Sequence, residues 1–132
     1  MSNRERLRML RLAKEFHGSS DAQLQALVPN FDEVAVPAGT RLAQEGRLSR
    51  QFFIVTEGEL ETCRQGKCGK LGPGESFGWS AMYEHGWDDA TVTASSSARL
   101  LVMGHAQFRA AKTVVSEPAG SSEPALSRSL AS

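Results

Sequence analysis

Glu84, His85, Asp88 and Asp89 crowd into the middle of one stretch, FGWSAMYEHGWDDATVTA, which runs from Phe77 to Ala94. Carboxylates and an imidazole at that density are the donors of a divalent-cation or amine site. Within a single loop they also make an ordinary solvated cluster, which is the expectation here, so no metal is assigned. Cys63 and Cys68 flank the turn Arg64-Gln65-Gly66-Lys67. With a two-residue turn at Gln65-Gly66 the sulfurs face one another across a hairpin and can form a disulfide. With a three-residue loop Thr62 faces Cys68 instead, and both line a pocket. Reduced, packed thiols are expected, with a redox switch as the alternative. The histidines, His17, His85 and His105, fall on different elements. Ser95-Ser96-Ser97 lacks a nucleophile-elbow frame or a base, and the glycines of GPGESFG fit neither a dinucleotide fingerprint nor a Walker loop. No catalytic constellation emerges, and neither an enzyme nor a resident cofactor is expected.

The chain that must position these groups has 132 residues, 40% hydrophobic and 23% charged, the composition of one globular domain. Lys and Arg number 15 and so do Asp and Glu, so no global field attracts nucleic acid or anionic lipid. No apolar run approaches the roughly 20 residues of a spanning helix, and residues 1–18 lack the apolar core of a signal peptide. A cytoplasmic protein is expected.

Residues 3–16 follow the helical period through Leu7, Leu10 and Ala13, and predict an amphipathic helix with a solvated basic face of Arg4, Arg6, Arg8, Arg11 and Lys14. Residues 1–17 are therefore assigned as an N-terminal helix. Ser20 with Gln23 is a capping-box pattern that opens a short helix ended by Pro29. Short β-branched or alternating runs follow at residues 31–36, 41–44, 51–56, 59–64, 67–71, 90–94 and 98–103. Glycine-bearing turns punctuate them regularly. The expectation over residues 18–115 is a mainly β fold, a jelly roll or double-stranded β-helix (β-roll), with short flanking helices. Residues 105–115 supply one more helix. The Ser/Pro/Ala tail, residues 116–132, is too poor in apolar side chains to offset its ordering entropy and is expected to be disordered. No second amphipathic helix pair follows the strands, so no DNA-binding helix-turn-helix is expected.

In order along the chain come VPAGTRLAQEG, QFFIVTEGELE, LGPGESFG, ATVTA and ARLLVM. This series resembles the cyclic-nucleotide-binding domain, the β-roll of catabolite-activator-type regulators, cyclic-nucleotide-gated channels and the regulatory subunit of cAMP-dependent kinase. The resemblance covers approximately residues 16–112. It implies a ligand loop made of Phe77, Gly78, Trp79, Ser80, Ala81, Asp88, Asp89, Ala90 and Thr91; Thr62 and Cys68 join it as candidate pocket wall if the hairpin turn has three residues. In that family a short helix offers its free N–H groups to a phosphate, a glutamate accepts from the ribose hydroxyl and an arginine neutralises the phosphate.

Here Trp79 stands where the glutamate belongs, and Asp88, or Asp89 after a one-residue slip, stands where the arginine belongs. A cation about 4 Å from a phosphate is worth about 4 kcal/mol at an effective dielectric of 20, and a carboxylate reverses the sign. The expectation is a regulatory module with a remodelled ligand site. Its loop holds its own indole or a neutral or cationic guest, and it acts through another protein chain or an unlabelled small ligand. Self-association is compatible with this reading. Two alternatives stand beside it: a true cAMP or cGMP sensor that uses another basic residue, with Arg47 and Arg50 as the nearest candidates, and a metal-dependent cupin.

Overall fold

The computed structural model describes residues 1–84 and 86–114. His85 and the Ser/Pro/Ala tail lie outside the described residues. Helix α1 (Asn3–Leu12) begins with a reciprocal capping box, in which Ser2 Oγ accepts from the Glu5 N–H and the Glu5 carboxylate accepts from the Ser2 N–H. The amphipathic pattern continues to residue 16, but the α-helix does not. Ala13 is extended, and a tight 3₁₀ turn at Lys14–Phe16 swings Phe16 into the core. Helix α2 (Asp21–Leu27) carries the expected capping box between Ser20 and Gln23, and a 3₁₀ turn containing Pro29 ends it.

Among the described residues eight strands follow, in two four-stranded antiparallel sheets. They are β1 (Asp32–Val36), β2 (Arg41–Ala43), β3 (Gln51–Glu57), β4 (Leu60–Arg64), β5 (Lys67–Leu71), β6 (Ser76–Phe77), β7 (Thr91–Ala94) and β8 (Ala98–Gly104). One sheet is ordered β1-β8-β3-β6 and the other β2-β7-β4-β5. Seven of these strands coincide with the alternating runs of the sequence. The eighth, β6, follows the Gly72-Pro73-Gly74 turn at residues assigned to no strand from the sequence. It is short, and its place is set by pairing of Phe53 with Phe77 and Ile54 with Ser76. Helices α3 (Trp79–Tyr83) and α4 (His105–Val114) complete the order.

Strand β3 explains the division of the core. Its run Phe52-Phe53-Ile54-Val55 is fully buried because each face meets a different cluster. Phe52 and Ile54 pack under the helices with Leu10, Phe16, Leu24, Phe31, Trp79 and Phe108. Phe53 and Val55 pack between the sheets with Leu60, Val92 and Leu100. Alternation along a strand sends neighbours to opposite faces, so a sheet covered on both sides needs an unbroken apolar run. No helix among the described residues is long and apolar enough to cross a membrane.

The β4–β5 hairpin settles the choice between the two turns. Gln65 (φ 51°) and Gly66 (φ 82°) are both left-handed, the signature of a two-residue type I′ turn. Arg64 then pairs with Lys67 and Cys63 with Cys68. Counting back from the turn, the cysteines occupy the position where facing Cα atoms come closest. Their Cα atoms lie 4.0 Å apart and the sulfurs are joined. The expectation of free thiols is therefore corrected, because register rather than composition decided it. Thr62 faces Gly69, not Cys68.

Candidate functional groove

A groove runs along the roll between the β4–β5 hairpin and the start of α3. One part, about 540 Å³, is lined by Thr62, Arg64, Cys68, Phe77 and Ala90 among others. An adjoining part, about 380 Å³, reaches Gly78, Ser80, Ala81, Trp87 and Asp89. Lys14, Arg64, Ser76 and Phe77 border both parts.

Gly78 lets the chain turn into α3. It sits at φ +104°, and a Cβ there would come 2.6 Å from the Gln51 carbonyl oxygen, a backbone atom that cannot yield. The Gly78 carbonyl accepts from the Met82 N–H at 3.0 Å, which leaves the amides of Trp79, Ser80 and Ala81 as the first turn of the helix. Ser80 is exposed and Ala81 half-buried, and both face the groove. Phe77 stacks on Phe53 with ring centroids 5.7 Å apart and forms part of the groove floor.

Trp79 does something else. Although it borders the groove, it is only 7% exposed, and its ring meets those of Phe108 at 4.7 Å, Phe52 at 5.1 Å and Phe16 at 5.3 Å, all edge-on. The indole is thus the centre of the aromatic cluster under the helices, and the expectation that it plugs the crevice is corrected. The aromatic body of the indole gains from a four-ring core, although its buried Nε1–H finds no hydrogen-bond partner among the described residues. The second tryptophan, Trp87, is 64% exposed.

The two aspartates separate. Asp89 lies in the groove, where its carboxylate accepts from Arg64 Nη2 at 2.8 Å and its carbonyl from Arg64 Nε at 3.1 Å. Asp88 points the other way. It is 6% exposed and lines a different cavity with Arg41, Arg47 and Arg50. Burial pushes its carboxyl above the ordinary aspartate range. The Ser49 hydroxyl, which completes no full hydrogen bond, and the Gln44 backbone N–H only partly oppose this. Asp88 is therefore not the groove residue expected at the arginine position, nor does it pair with Asp89 in a cation site. Thr91 is also engaged elsewhere, its hydroxyl accepting from the Glu45 N–H at 3.0 Å.

Several groove residues had not been assigned to the site, among them Arg64, Lys14 and Glu15. Arg64 carries its guanidinium, and the signal was present: it lies two residues after Thr62 on the same strand, hence on the same face. Lys14 and Glu15 arrive from the N-terminal turn, and the Glu15 carboxylate accepts from Ser76 Oγ at 2.6 Å. Arg47 and Arg50, the cations considered from sequence, do not reach the groove.

The model of the cyclic nucleotide-binding domain matches residues 33–112. The chain belongs to that family. Most of the groove lining and the left-handed glycine before α3 sit within the matched span, whereas Lys14 and Glu15 precede it. The chain is 26% identical over 94 residues to the cyclic AMP receptor protein of Thermus thermophilus, covering 67% of this chain and 44% of that protein. Among solved structures it is similar to the regulatory domain of Toxoplasma gondii PKA with cAMP (28% identity, TM-score 0.74, 82% of this chain and 43% of that one). It also shares its fold with a cyclic nucleotide-binding-like protein of Brucella abortus (19% identity, TM-score 0.71, 83% of this chain and 98% of that one). The chain thus spans less than half the length of the receptor protein and of the PKA regulatory domain.

Proposed function

We propose that this domain is a non-enzymatic regulatory module whose groove no longer takes a cyclic nucleotide in the family's manner, and which signals through a protein partner or a different small ligand. The observation that carries this reading is Trp79. The residue at the family's ribose-binding position is an indole locked among Phe16, Phe52 and Phe108, so it offers no acceptor to a ribose hydroxyl. The groove's charges balance as well: Lys14, Arg64 and Lys67 face Glu15, Glu84 and Asp89. A mixed lining of that kind favours a neutral or zwitterionic guest over a phosphodiester.

A second reading rests on Arg64. Its guanidinium already stands over the groove, and its partner Asp89 is a solvated carboxylate. Exposed ion pairs of this type hold by about 1 kcal/mol or less, so a phosphate could recruit the arginine at small cost. Isothermal titration with cAMP and with cGMP separates the readings. No heat of binding up to millimolar nucleotide is expected for the native chain. Micromolar affinity that disappears in Arg64→Ala would instead establish a nucleotide sensor with a relocated cation.

A further inference from the structure

A second concave surface shares no lining residue with the groove. It is a cavity of about 200 Å³ bordered by Arg41, Arg47, Leu48, Arg50 and Asp88. The three arginines are exposed, and none joins an ion pair among the described residues; Arg41 reaches only the Gln44 amide oxygen, at 3.4 Å. Among the described residues Asp88 is the one carboxylate in the same lining, against three guanidiniums, so the cavity carries a local excess of positive charge.

Apolar surface adjoins this charge. Leu48 is 57% exposed and Trp87 64% exposed, and the two are held side by side by an isolated antiparallel bridge. The bonds Ser49 N–H to Gly86 C=O and Asp88 N–H to Arg47 C=O, at 3.0 and 2.8 Å, fix that pair against the arginine loop. Large apolar side chains left open beside cations mark recognition surfaces, and Trp and Arg are the residue types that concentrate binding energy at interface centres. The guanidinium fork matches a carboxylate in two parallel bonds and gives up its hydration easily.

We propose that Arg41, Arg47 and Arg50, with Leu48 and Trp87, form a docking surface for an acidic peptide segment of a partner protein. Carboxylates of the segment engage the arginines, and an aliphatic or aromatic side chain lies against Leu48 and Trp87. A nucleic-acid backbone is a poorer fit, because the basic residues end within one small cavity and the chain has a formal net charge of +0. The surface adjoins the groove at Trp87, but its three arginines line only the second cavity.

The test uses a short fluorescein-labelled peptide of Asp and Glu with one central Phe, followed by anisotropy at low salt. Saturable binding is expected. It should weaken at least about tenfold in the double variant Arg47→Glu/Arg50→Glu and for the peptide with Ala in place of Phe. Lys70→Ala, which removes a cation paired with Glu59 and bordering neither cavity, should leave it unaltered. Circular dichroism of each variant must match the native chain. The proposal is overturned if the peptide shows no saturable binding up to about 1 mM, if the folded double variant binds it equally well, or if duplex DNA or phosphatidylserine vesicles bind more tightly than the peptide.

Discussion

Trp79 and Asp88 show how side chains in one loop are assigned to different tasks. Trp79 contacts three other rings, so Trp79→Ala removes the hub of the aromatic cluster and should destabilise the domain by about 3–5 kcal/mol in urea titration. Trp79→Glu, which would restore the family's residue, should be at least as damaging, because it places a carboxylate among Phe16, Phe52 and Phe108. A Glu variant as stable as the native chain would mean that the position opens to solvent. Asp88 gives a pH prediction. Its folded pKa is raised by burial, so the folded state binds more protons than the unfolded one between the two values. Stability attributable to Asp88 is therefore lost as pH rises through that window. Asp88→Asn should raise Tm at pH 7, and the difference should shrink as pH falls below the ordinary aspartate range. A difference that grows on acidification would show the opposite sign of shift.

At the scale of elements, the β4–β5 hairpin forms one wall of the groove and holds its guanidinium. The disulfide spans a sequence separation of 5, a short loop for which the chain-entropy account gives about 2 kcal/mol. Reduction with dithiothreitol should lower stability by about that amount, while the Cys63→Ser/Cys68→Ser variant should be insensitive to reductant. Equal sensitivity in both would place the effect elsewhere. The hairpin also shows what strand alternation made legible. Thr62 was placed on the pocket wall only under the three-residue turn, which the register excludes, yet it does line the groove, and Arg64, two residues on along the same strand, follows from alternation. The partner of Cys63 did not follow from the residues. Gln65-Gly66 is compatible with two turn lengths, and only cross-strand register in the folded sheet selects one.

At the scale of the whole molecule, the aromatic cluster ties both ends of the described chain to the loop that borders the groove. Phe16 comes from the N-terminal turn and Phe108 from α4, and each packs on Trp79, which opens α3 beside Ser80 and Ala81. Substitutions at the two ends should therefore be coupled. In a double-mutant cycle Phe16→Leu and Phe108→Leu are expected to depart from additivity by at least about 0.5 kcal/mol, measured by denaturant unfolding. Additive effects would mean that α4 and the N-terminal turn dock on the roll independently.

By itself the sequence determined the β-roll. Period-two runs between glycine turns leave few ways to bury one face of each strand, and Ser20 with Gln23 marks a helix start through bonds made within a few residues. It also determined the motif frame around Gly78, whose backbone conformation only glycine accepts easily. Tertiary structure decided which side chains of that frame meet in the groove. Asp88 and Asp89 are neighbours in sequence, yet one is buried against Gln44 and the other bonded to Arg64. Likewise Trp79 turns into a cluster whose other rings come from residues 16, 52 and 108. Local pattern fixes where the backbone bends, whereas the direction of a side chain at a bend is fixed by what distant segments leave beside it, and that information exists only once the chain has closed.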